Sequence, residues 1–306
     1  MQDPRLDPTG YFASEKRIDI LKETVERLSD AGERERLRSI GFKNVKRWAE
    51  NSDKEVVKKK FFFSKGKGKP TMEIRVCQDD WGVAAQRVTK EFGKVFAVLN
   101  MANSRVAGGG YLTGMVAQEE NMFRRTDCHF SVMKENKVNE QIPFDDLPVI
   151  WYTEDKTDLL TGKNGRVYLD VNEARICVRG REDLSKESFG YDWFQEDDIF
   201  PFYELRAAAL DLRGGDRYSD EETMKRIKAQ LDTLKAKKVR HVVLSAFGCG
   251  AFMNPAEKVA ACYKKVLKQY EKHFDVVCFA IFHAGYGYNN YIPFRKTFFP
   301  DENENV

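Results

Sequence analysis

The sequence predicts a three-layer α/β domain with a mixed sheet, preceded by a short helical extension. Strand-like runs alternate with helical patterns along most of the chain, which is typical of layered α/β folds. The 306 residues, 42% of them hydrophobic, are enough for one large core. The run "KVFAVLNM" (94–101) is apolar almost throughout, as in a strand buried on both faces. We therefore expect a helical N-terminal extension over residues 1–55 and an α/β domain over 56–306.

The first third of the chain predicts helices, a hairpin and one capped helix. Residues 13–50 repeat apolar side chains at helical spacing. Two β-type runs, Val56–Phe63 and Thr71–Gln78, flank a basic Ser/Lys/Gly/Pro segment and predict a hairpin. Asp79 and Asp80 can cap a helix that runs through Phe92 and ends at Gly93.

The remaining elements follow from the same patterns. Helices are predicted over 220–236 and 255–273. Further strands are predicted over 148–153, 166–170, 174–179, 203–211, 239–246 and 276–283.

Composition excludes several classes of protein. Lys and Arg total 51 against 48 Asp and Glu, a formal charge of +3 that argues against dedicated nucleic-acid binding. No secretory h-region and no run of membrane-spanning length is visible, so a cytoplasmic location is expected, with the nucleus or a host cytosol as alternatives. Six cysteines without CxxC spacing predict free thiols rather than a metal site or a disulfide framework: Cys77, Cys128, Cys177, Cys249, Cys262 and Cys278.

A triple glycine, Gly108 to Gly110, follows the predicted strand at 94–101 and precedes a helix that begins with Gln118-Glu119-Glu120. Backbone N–H groups in a loop that leads into a helix can bind an anion. Taken alone, the glycines are equally consistent with a tight turn. Taken alone, the acidic motif is better explained by a solvated helix turn in which Arg124 and Arg125 are charge partners; together with the two loops, a catalytic role is favoured.

A second small-residue loop, "LSAFGCGAFMNP" (244–255), has the same arrangement of buried strand, loop and helix. Asn254 and Pro255 fit the cap and the first position of the following helix. Two such loops at the carboxyl ends of strands in one α/β domain suggest a diphosphate held between them.

A third stretch, "FAIFHAGYGYNNYIPF" (279–294), leaves a predicted strand and is rich in tyrosine and asparagine. An aromatic ring there could stack on a flat base, although packing of a terminal segment into the core explains the same residues equally well. His283 is expected to be structural.

The motif "MANSRVAGGGYLTGMVAQEENMFRR" together with "FGCGAF" resembles the poly(ADP-ribose) glycohydrolases, whose catalytic fold is a macrodomain. The likeness covers about residues 71–290 and is closest to the shorter, bacterial-type members. It implies a hydrolase that releases ADP-ribose from poly(ADP-ribose) or from an ADP-ribosylated protein, without a metal or other cofactor. The alternatives are a hydrolase of single protein-linked ADP-ribose units, such as arginine-linked ones, and a macrodomain that only binds ADP-ribose.

The resemblance also implies roles for individual residues. Glu120 matches the catalytic acid, and Glu119 matches the residue that holds the adjacent ribose. Asn103 matches a contact to the hydroxyls of that ribose, and Gln118 belongs to the same motif. The remaining matched positions are the diphosphate loops and the aromatic positions: Gly108, Gly109, Gly110, Gly248, Cys249, Gly250 and Ala251 for the diphosphate and distal ribose, Phe252 for the ribose, and Tyr286 ahead of Tyr288 and Phe282 for the adenine.

The positions of Glu119 and Glu120 favour a mechanism with one catalytic acid over one with two carboxyl groups on opposite faces of the glycosidic bond. Adjacent residues at a helix start diverge by roughly a third of a turn, so Glu119 and Glu120 cannot flank a glycosidic bond from opposite faces. One can act as acid and then base while the other orients the sugar. Burial and the neighbouring carboxylate are expected to raise the pKa of Glu120.

Overall fold

A computed structural model describes residues 13–62, 72–283 and 288–300. Residues 1–12, 63–71, 284–287 and 301–306 lie outside the described residues, and with them Tyr286 and the predicted basic loop. The helices are α1 (Glu15–Arg27), α2 (Ala31–Phe62), α3 (Trp81–Phe92), α4 (Gln118–Arg125), α5 (Cys128–Glu135), α6 (Glu154–Leu160), α7 (Asp220–Ala236), α8 (Ala256–Leu267) and α9 (Tyr291–Phe298). The strands are β1 (Glu73–Cys77), β2 (Ala97–Met101), β3 (Tyr168–Leu169), β4 (Arg175–Cys177), β5 (Phe200–Ala207), β6 (His241–Leu244) and β7 (Val276–Ala280).

The strands form one mixed sheet in the order β1-β7-β6-β2-β5-β3, with β4 also paired to β5. The pairs from β1 to β5 are parallel, whereas β3 and β4 run antiparallel to β5. Parallel neighbours place the loops that follow β2, β5, β6 and β7 at one edge of the sheet. This edge carries both glycine-containing loops.

Alternating strand residues fill two separate cores, one on each face of the sheet. Leu99, Val242 and Val277 pack with α7, α8 and α9 on one face. Val98, Val243 and Cys278 pack with the helices α1 to α5 on the other. Helices on both faces of a mostly parallel sheet make three layers, so the predicted fold class is confirmed.

The N-terminal helices pack directly on this domain. Thr24 in α1 donates its hydroxyl to the carbonyl of Arg124 in α4 at 2.8 Å. The amide nitrogen of Ser14 donates to the carbonyl of Gly114, just after the triple glycine, at 3.2 Å. Residue 55, where we placed the domain boundary, lies inside α2. The extension therefore contacts the segments that carry the predicted site.

Two predicted strands are wrong. The stretch Val56–Phe62 continues α2, because "VVKKKFF" groups its apolar residues in blocks instead of alternating them, and no helix breaker precedes Gly66. There is thus no hairpin, and in the described residues β1 pairs only with β7. The segment 148–153 is irregular, with a single bridge between Val106 and Trp151.

The capping prediction for α3 is confirmed. Asp80 caps α3 by accepting from the amide nitrogens of Gly82 and Val83, and Gly93 ends the helix in the left-handed region. The helix over 220–236 is confirmed, with Ser219 as its cap. Side chains that satisfy the first free N–H groups make such starts readable from sequence.

Candidate active site

The two glycine-containing loops lie side by side at the carboxyl edge of the sheet. β2 pairs directly with β6, with Val98 opposite Val243. The triple glycine follows β2, and the segment 246–254 follows β6. The prediction that both loops lie at the carboxyl ends of strands is therefore confirmed, and the structure adds that the two strands are neighbours.

Gly109 lies directly against the acidic pair. Its φ is +59°, and a Cβ atom there would be 2.4 Å from Oε1 of Glu120 and 3.1 Å from Oε2 of Glu119. A Cβ atom does not fit at such short distances, and the left-handed backbone conformation also disfavours a residue that has one. Glycine at this position lets the loop approach the carboxylates.

Glu119 and Glu120 are buried, with 3% and 8% of their surfaces exposed. The amide nitrogen of Asn103 donates to Oε2 of Glu119 at 2.7 Å, and that of Gly110 donates to Oε1 of Glu120 at 2.9 Å. The second oxygen of each carboxyl group is also buried, and it has no hydrogen-bond partner among the described residues. Unpaired buried polar atoms are costly, so these two oxygens identify the place where a polar ligand would be expected.

Both carboxyl groups are held in their neutral forms more readily than in water. Burial, followed by the charge of Glu120, raises the pKa of Glu119 well above its usual range. Burial also raises the pKa of Glu120, although the amide of Gly110 and the charges of Arg124 and Arg213 oppose the shift. A raised pKa is what a carboxyl group needs in order to donate a proton near neutral pH.

Gln118 orients the helix that carries the pair. Its Oε1 accepts from the amide nitrogen of Met101 at 2.9 Å, and its Nε2 donates to the carbonyl of Leu99 at 2.9 Å. Both ends of the side chain thus bind the last residues of β2. This arrangement fixes the start of α4 to the sheet and leaves the Gln118 amide engaged with backbone.

Asn103 folds the turn that precedes the triple glycine. Its Oδ1 accepts from the amide nitrogens of Arg105 at 2.8 Å and Val106 at 3.0 Å. Its Nδ2 has no partner among the described residues. The side chain thus shapes the turn with one end and offers a hydrogen-bond donor with the other.

The second loop is stabilised by Asn254 in a way that the sequence did not indicate. α8 begins at Ala256, Pro255 occupies the cap position, and no side chain caps this helix. The Nδ2 of Asn254 instead donates to the carbonyls of Leu210 at 2.7 Å and Gly248 at 3.0 Å. The predicted capping role is wrong, because the amide is turned back into the loop.

The residues at the centre of this loop differ in exposure. Gly248, with φ +74°, lies against Ala209, where a Cβ would be 2.4 Å from the alanine methyl. Cys249 is buried, and burial raises the pKa of its thiol. Gly250 and Ala251 are exposed to solvent.

Phe252 is half-buried beside an ion pair. Part of its surface packs on the core that contains α8. The guanidinium of Arg213 lies 4.8 Å from the ring centroid and forms a two-contact pair with the carboxylate of Asp211, at 2.6 and 2.8 Å. One part of the Phe252 ring therefore packs against the core, and the rest is accessible beside the ion pair.

The aromatic segment after β7 remains partly exposed. Phe282 is 54% exposed and Tyr288 is 88% exposed, while Tyr286 lies outside the described residues. His283 is half-buried in the same segment. Phe282 is therefore a described aromatic side chain at the sheet edge that is available for stacking.

The residues beneath the pair were not identified from the sequence. Arg124 and Arg125 are fully buried and bind Tyr191 and Asp80 respectively, so the interpretation of a solvated helix turn is wrong. Glu204 and Arg206 of β5 form a buried ion pair at 2.8 Å, close enough for the charge of Arg206 to act on Glu119. Charged residues two apart in an otherwise apolar strand were the pattern that could have indicated this pair.

Two further properties follow from the described residues. They contain no group of histidine, cysteine, aspartate and glutamate side chains arranged to hold a metal ion. None of the helices they form combines the length and the apolar character that crossing a bilayer requires.

Comparison with known proteins places these features in context. Residues 22–142, which contain the first glycine loop and the acidic pair, match the family model of the microbial-type PARG catalytic domain. No significant match exists among curated proteins. The resemblance inferred from the sequence motifs is confirmed by this family model.

Solved structures agree with the fold. The poly(ADP-ribose) glycohydrolase of Thermomonospora curvata superposes with a TM-score of 0.60 at 21% identity, covering 93% of this chain and 100% of that one. The enzyme of Deinococcus radiodurans, solved in complex with ADP-ribose, superposes with a TM-score of 0.52 at 19% identity, covering 94% and 93%. A Thermomonospora curvata structure bound to the inhibitor ADP-HPD has a TM-score of 0.58 at 20% identity, covering 92% and 99%. At these identities the likeness supports the fold.

Proposed function

We propose that this protein is a hydrolase that cleaves the ribosyl O-glycosidic bond of poly(ADP-ribose) and releases ADP-ribose. The observation that carries the proposal is the buried pair Glu119 and Glu120, in which each carboxyl group has one oxygen fixed by a backbone N–H and the other without a partner among the described residues. The similarity to glycohydrolases that were solved with ADP-ribose or an inhibitor supports the same substrate.

Glu120 is the proposed acid. Burial raises its pKa, which favours the protonated form that an acid needs, and its second oxygen has no hydrogen-bond partner among the described residues. Proton transfer to that oxygen lets the C1″–O bond break with the bonding electrons leaving on oxygen, and positive charge develops on the ribose. The resulting carboxylate then takes a proton from the water that attacks C1″, which restores the acid.

Glu119 and Asn103 are proposed to hold the ribose. The free oxygen of Glu119 can accept from a ribose hydroxyl, and the Nδ2 of Asn103 can donate to another. Holding the sugar in one pose lets the single acid act without an opposed carboxylate. Gln118 fixes the helix that carries both glutamates.

The diphosphate is proposed to lie between the two loops. Gly109 and Gly110 bring backbone within reach on one side, and Gly250 and Ala251 expose backbone on the other. The N–H groups of Gly109 and Gly110 already donate to Val106 and Glu120, so on that side the glycines provide room for the phosphates, and the exposed backbone of Gly250 and Ala251 is the proposed source of N–H groups for the phosphate oxygens. Phe252 would pack against the ribose, and Phe282 and Tyr288 are the described aromatic rings among those that could meet the adenine.

A macrodomain that only binds ADP-ribose is the main alternative. Such a module could use Glu119 to hold the ribose, but it would keep Glu120 buried without a cation partner among the described residues, at a cost in stability and with no return in binding an anionic ligand. This cost favours the enzyme. A hydrolase of single protein-linked units would use the same acid, so it differs only in the leaving group.

The test is to incubate the full chain with purified poly(ADP-ribose) and, separately, with an arginine-linked mono-ADP-ribosylated protein, and to follow free ADP-ribose by mass spectrometry. We expect release from the polymer. Release only from the mono-modified protein would assign the alternative hydrolase, and ADP-ribose binding without any release would assign a binding module.

The Glu120→Gln variant tests the acid. It keeps the shape of the side chain but cannot donate the proton, so we expect turnover to fall about 10²- to 10⁴-fold while ADP-ribose still binds. Glu221→Gln, an exposed glutamate in the first turn of α7, is the matched control and should behave as the wild type. Full activity in Glu120→Gln would exclude this residue as the acid.

A further inference from the structure

Two cysteine thiols are in contact on the face of the sheet that α3 covers. Cys77 is the last residue of β1 and Cys278 lies in the middle of β7, and these strands are parallel neighbours. The two sulfur atoms are 3.7 Å apart and share a hydrogen bond in which either thiol can donate. All six cysteines lie in the part of the chain that the structure describes, and no other two of them share such a contact. The pair is therefore distinct from the four single thiols.

The cysteines differ in their access to solvent. Cys77 is half-buried, whereas Cys278 and the four single thiols are buried, so a small reagent in solution reaches Cys77 first. Burial also raises the pKa of the single thiols, and a thiol that stays protonated is a poor nucleophile. These four are Cys128, Cys177, Cys249 and Cys262.

The surroundings of Cys77 favour its thiolate form. The hydrogen bond from Cys278 lowers the pKa of the Cys77 thiol, against the effect of burial. The positive charges of Arg87 and Arg75 act in the same direction as that hydrogen bond, and the charge of Asp79 opposes them. Arg87 is on α3, where it forms an ion pair with Asp79. An accessible thiol that ionises readily beside a second thiol is typical of cysteines that are oxidised reversibly.

The position of β1 at the edge of the sheet allows the two sulfurs to join. An S–S bond is about 2.05 Å long, so the sulfurs must approach each other by about 1.7 Å. Cys77 is opposite Ala280 in the register, so Cys278 is its diagonal neighbour and the approach requires a small slide of β1 along β7. In the described residues β1 pairs with β7 alone, and this slide therefore disturbs no second strand pair.

We propose that Cys77 and Cys278 are a redox-sensitive thiol pair that a hydroperoxide oxidises to a disulfide between β1 and β7. The sulfur of Cys77 attacks one peroxide oxygen and becomes a sulfenic acid; the O–O bond breaks, and the other oxygen leaves with the proton of the Cys77 thiol. The sulfur of Cys278 then attacks that of Cys77, the S–O bond breaks, and water leaves with the proton of the Cys278 thiol. The two sulfurs together lose two electrons, which reduce the peroxide, so no further reactant is needed.

The experiment treats the reduced full chain, freed of reductant, with hydrogen peroxide and then counts thiols and maps peptides by mass spectrometry. We expect the folded protein to lose two of its six thiols and to give one linked peptide pair, which contains Cys77 and Cys278. Dithiothreitol should restore all six thiols. The same treatment in urea should give several different pairings, because the unfolded chain no longer holds these two sulfurs together.

Substitutions separate the roles of the two thiols. Cys278→Ser should stop at the sulfenic acid of Cys77, which dimedone traps, and excess peroxide should convert it to the sulfinic acid. Cys278→Ala replaces this variant if circular dichroism shows that the serine variant does not fold. Cys77→Ser should leave Cys278 reduced. Cys262→Ser is the matched control, because the Cys262 thiol contacts the hydroxyl of Tyr218 at 3.6 Å instead of another thiol, and it should still form the disulfide.

Three outcomes would overturn the inference. Six thiols that survive in the folded protein, while the chain in urea is oxidised, would show that the contact is not reactive. A sulfenic acid at Cys77 of the wild type without a disulfide would exclude Cys278 as its partner. Oxidation of the buried single thiols as fast as Cys77 would show that the pair has no special reactivity. Thiol counts and peptide masses do not depend on the proposed glycohydrolase activity, so either proposal can fail without the other.

Discussion

Two pairs of carboxyl groups have opposite kinds of partner in this structure. Glu204, which is buried, and Glu135, which is half-buried, share the guanidinium of Arg206, and Lys156 also binds Glu135 at 2.6 Å. Glu119 and Glu120 have no cation within hydrogen-bond distance among the described residues; backbone N–H groups bind one oxygen of each. Glu204 is as buried as Glu119 and Glu120, so the difference lies in the partners.

The partners set the ionisation of each pair in opposite directions. Burial alone opposes ionisation of Glu135, but Arg206 and Lys156 outweigh it and lower its pKa to about 2. Burial likewise opposes ionisation of Glu204, and Arg206 again produces a lowered pKa. For Glu119 and Glu120 burial prevails and the pKa is raised. A buried carboxyl group with a cation is thus part of the scaffold, whereas one without a cation is available for proton transfer.

The largest expected effect is on the scaffold pair. Glu204→Gln would leave Arg206 and Arg175 without their shared buried carboxylate, and removing one partner of a buried pair costs about 3–5 kcal/mol of unfolding free energy. Urea unfolding should show a lower midpoint with an unchanged slope. The control Asp197→Asn, in an exposed pair with Arg47, should leave the midpoint unchanged. A similarly small change for Glu204→Gln would mean that water reaches the network and that burial does not separate the two pairs.

The next effect concerns the approach of backbone to the catalytic pair. Gly109→Ala would place a methyl group 2.4 Å from Oε1 of Glu120, so we expect kcat/KM on poly(ADP-ribose) to fall about a hundredfold, the loss typical of a 1 Å displacement in an active site. Gly165→Ala is the matched control, because Gly165 also has a positive φ of +71° but no atom within 4 Å of the added group.

Both glycine variants incur the cost of an alanine in the left-handed region, about 1–2 kcal/mol. Only Gly109→Ala should lose activity, which separates backbone strain from displacement of the acid. Equal activity in the two variants would show that the loop can move away from Glu120, and the fixed geometry argued for the pair would then be wrong.

Sequence patterns were sufficient wherever local chemistry decides the structure. Asp80 and Gly93 bound α3 as predicted, because caps depend on residues within a turn of each other. The spacing of the triple glycine and the acidic motif indicated that loop and helix meet, and Gly109 does lie against Glu120. The resemblance of these motifs added the substrate class, which no spacing alone could provide.

Sequence patterns were insufficient where contacts between residues far apart in the chain determine the local structure. The run "VVKKKFF" has β-branched and aromatic residues, yet it continues α2, since its apolar residues do not alternate. Gln118 was expected among the binding residues, but its amide is engaged by β2, 17 to 19 positions away. Arg206, on the same strand as Glu204, could have been inferred from its spacing, but only the folded chain shows the partners Asn100 on β2 and Arg175 on β4.

The smallest expected effect is on stability at the catalytic pair, and its sign is opposite to that at Glu204. The pKa of Glu119 is higher in the folded than in the unfolded state, so the stability it contributes is present in full below its usual value of 4.5 and is lost as pH rises through the folded pKa. In Glu119→Gln the side chain is an amide that cannot ionise, so the variant does not lose this stability as the pH rises. We therefore expect its thermal midpoint to exceed that of the wild type by about 2–4 °C at pH 8 and to converge with it near pH 4.

Glu204→Gln should show the reverse trend. Because the pKa of Glu204 is lowered, the stability that it contributes is lost on acidification, so the thermal midpoint of Glu204→Gln should lie furthest below that of the wild type at pH 8 and less far below it in acid. Parallel pH profiles for the two variants would contradict the division between scaffold and catalytic carboxylates.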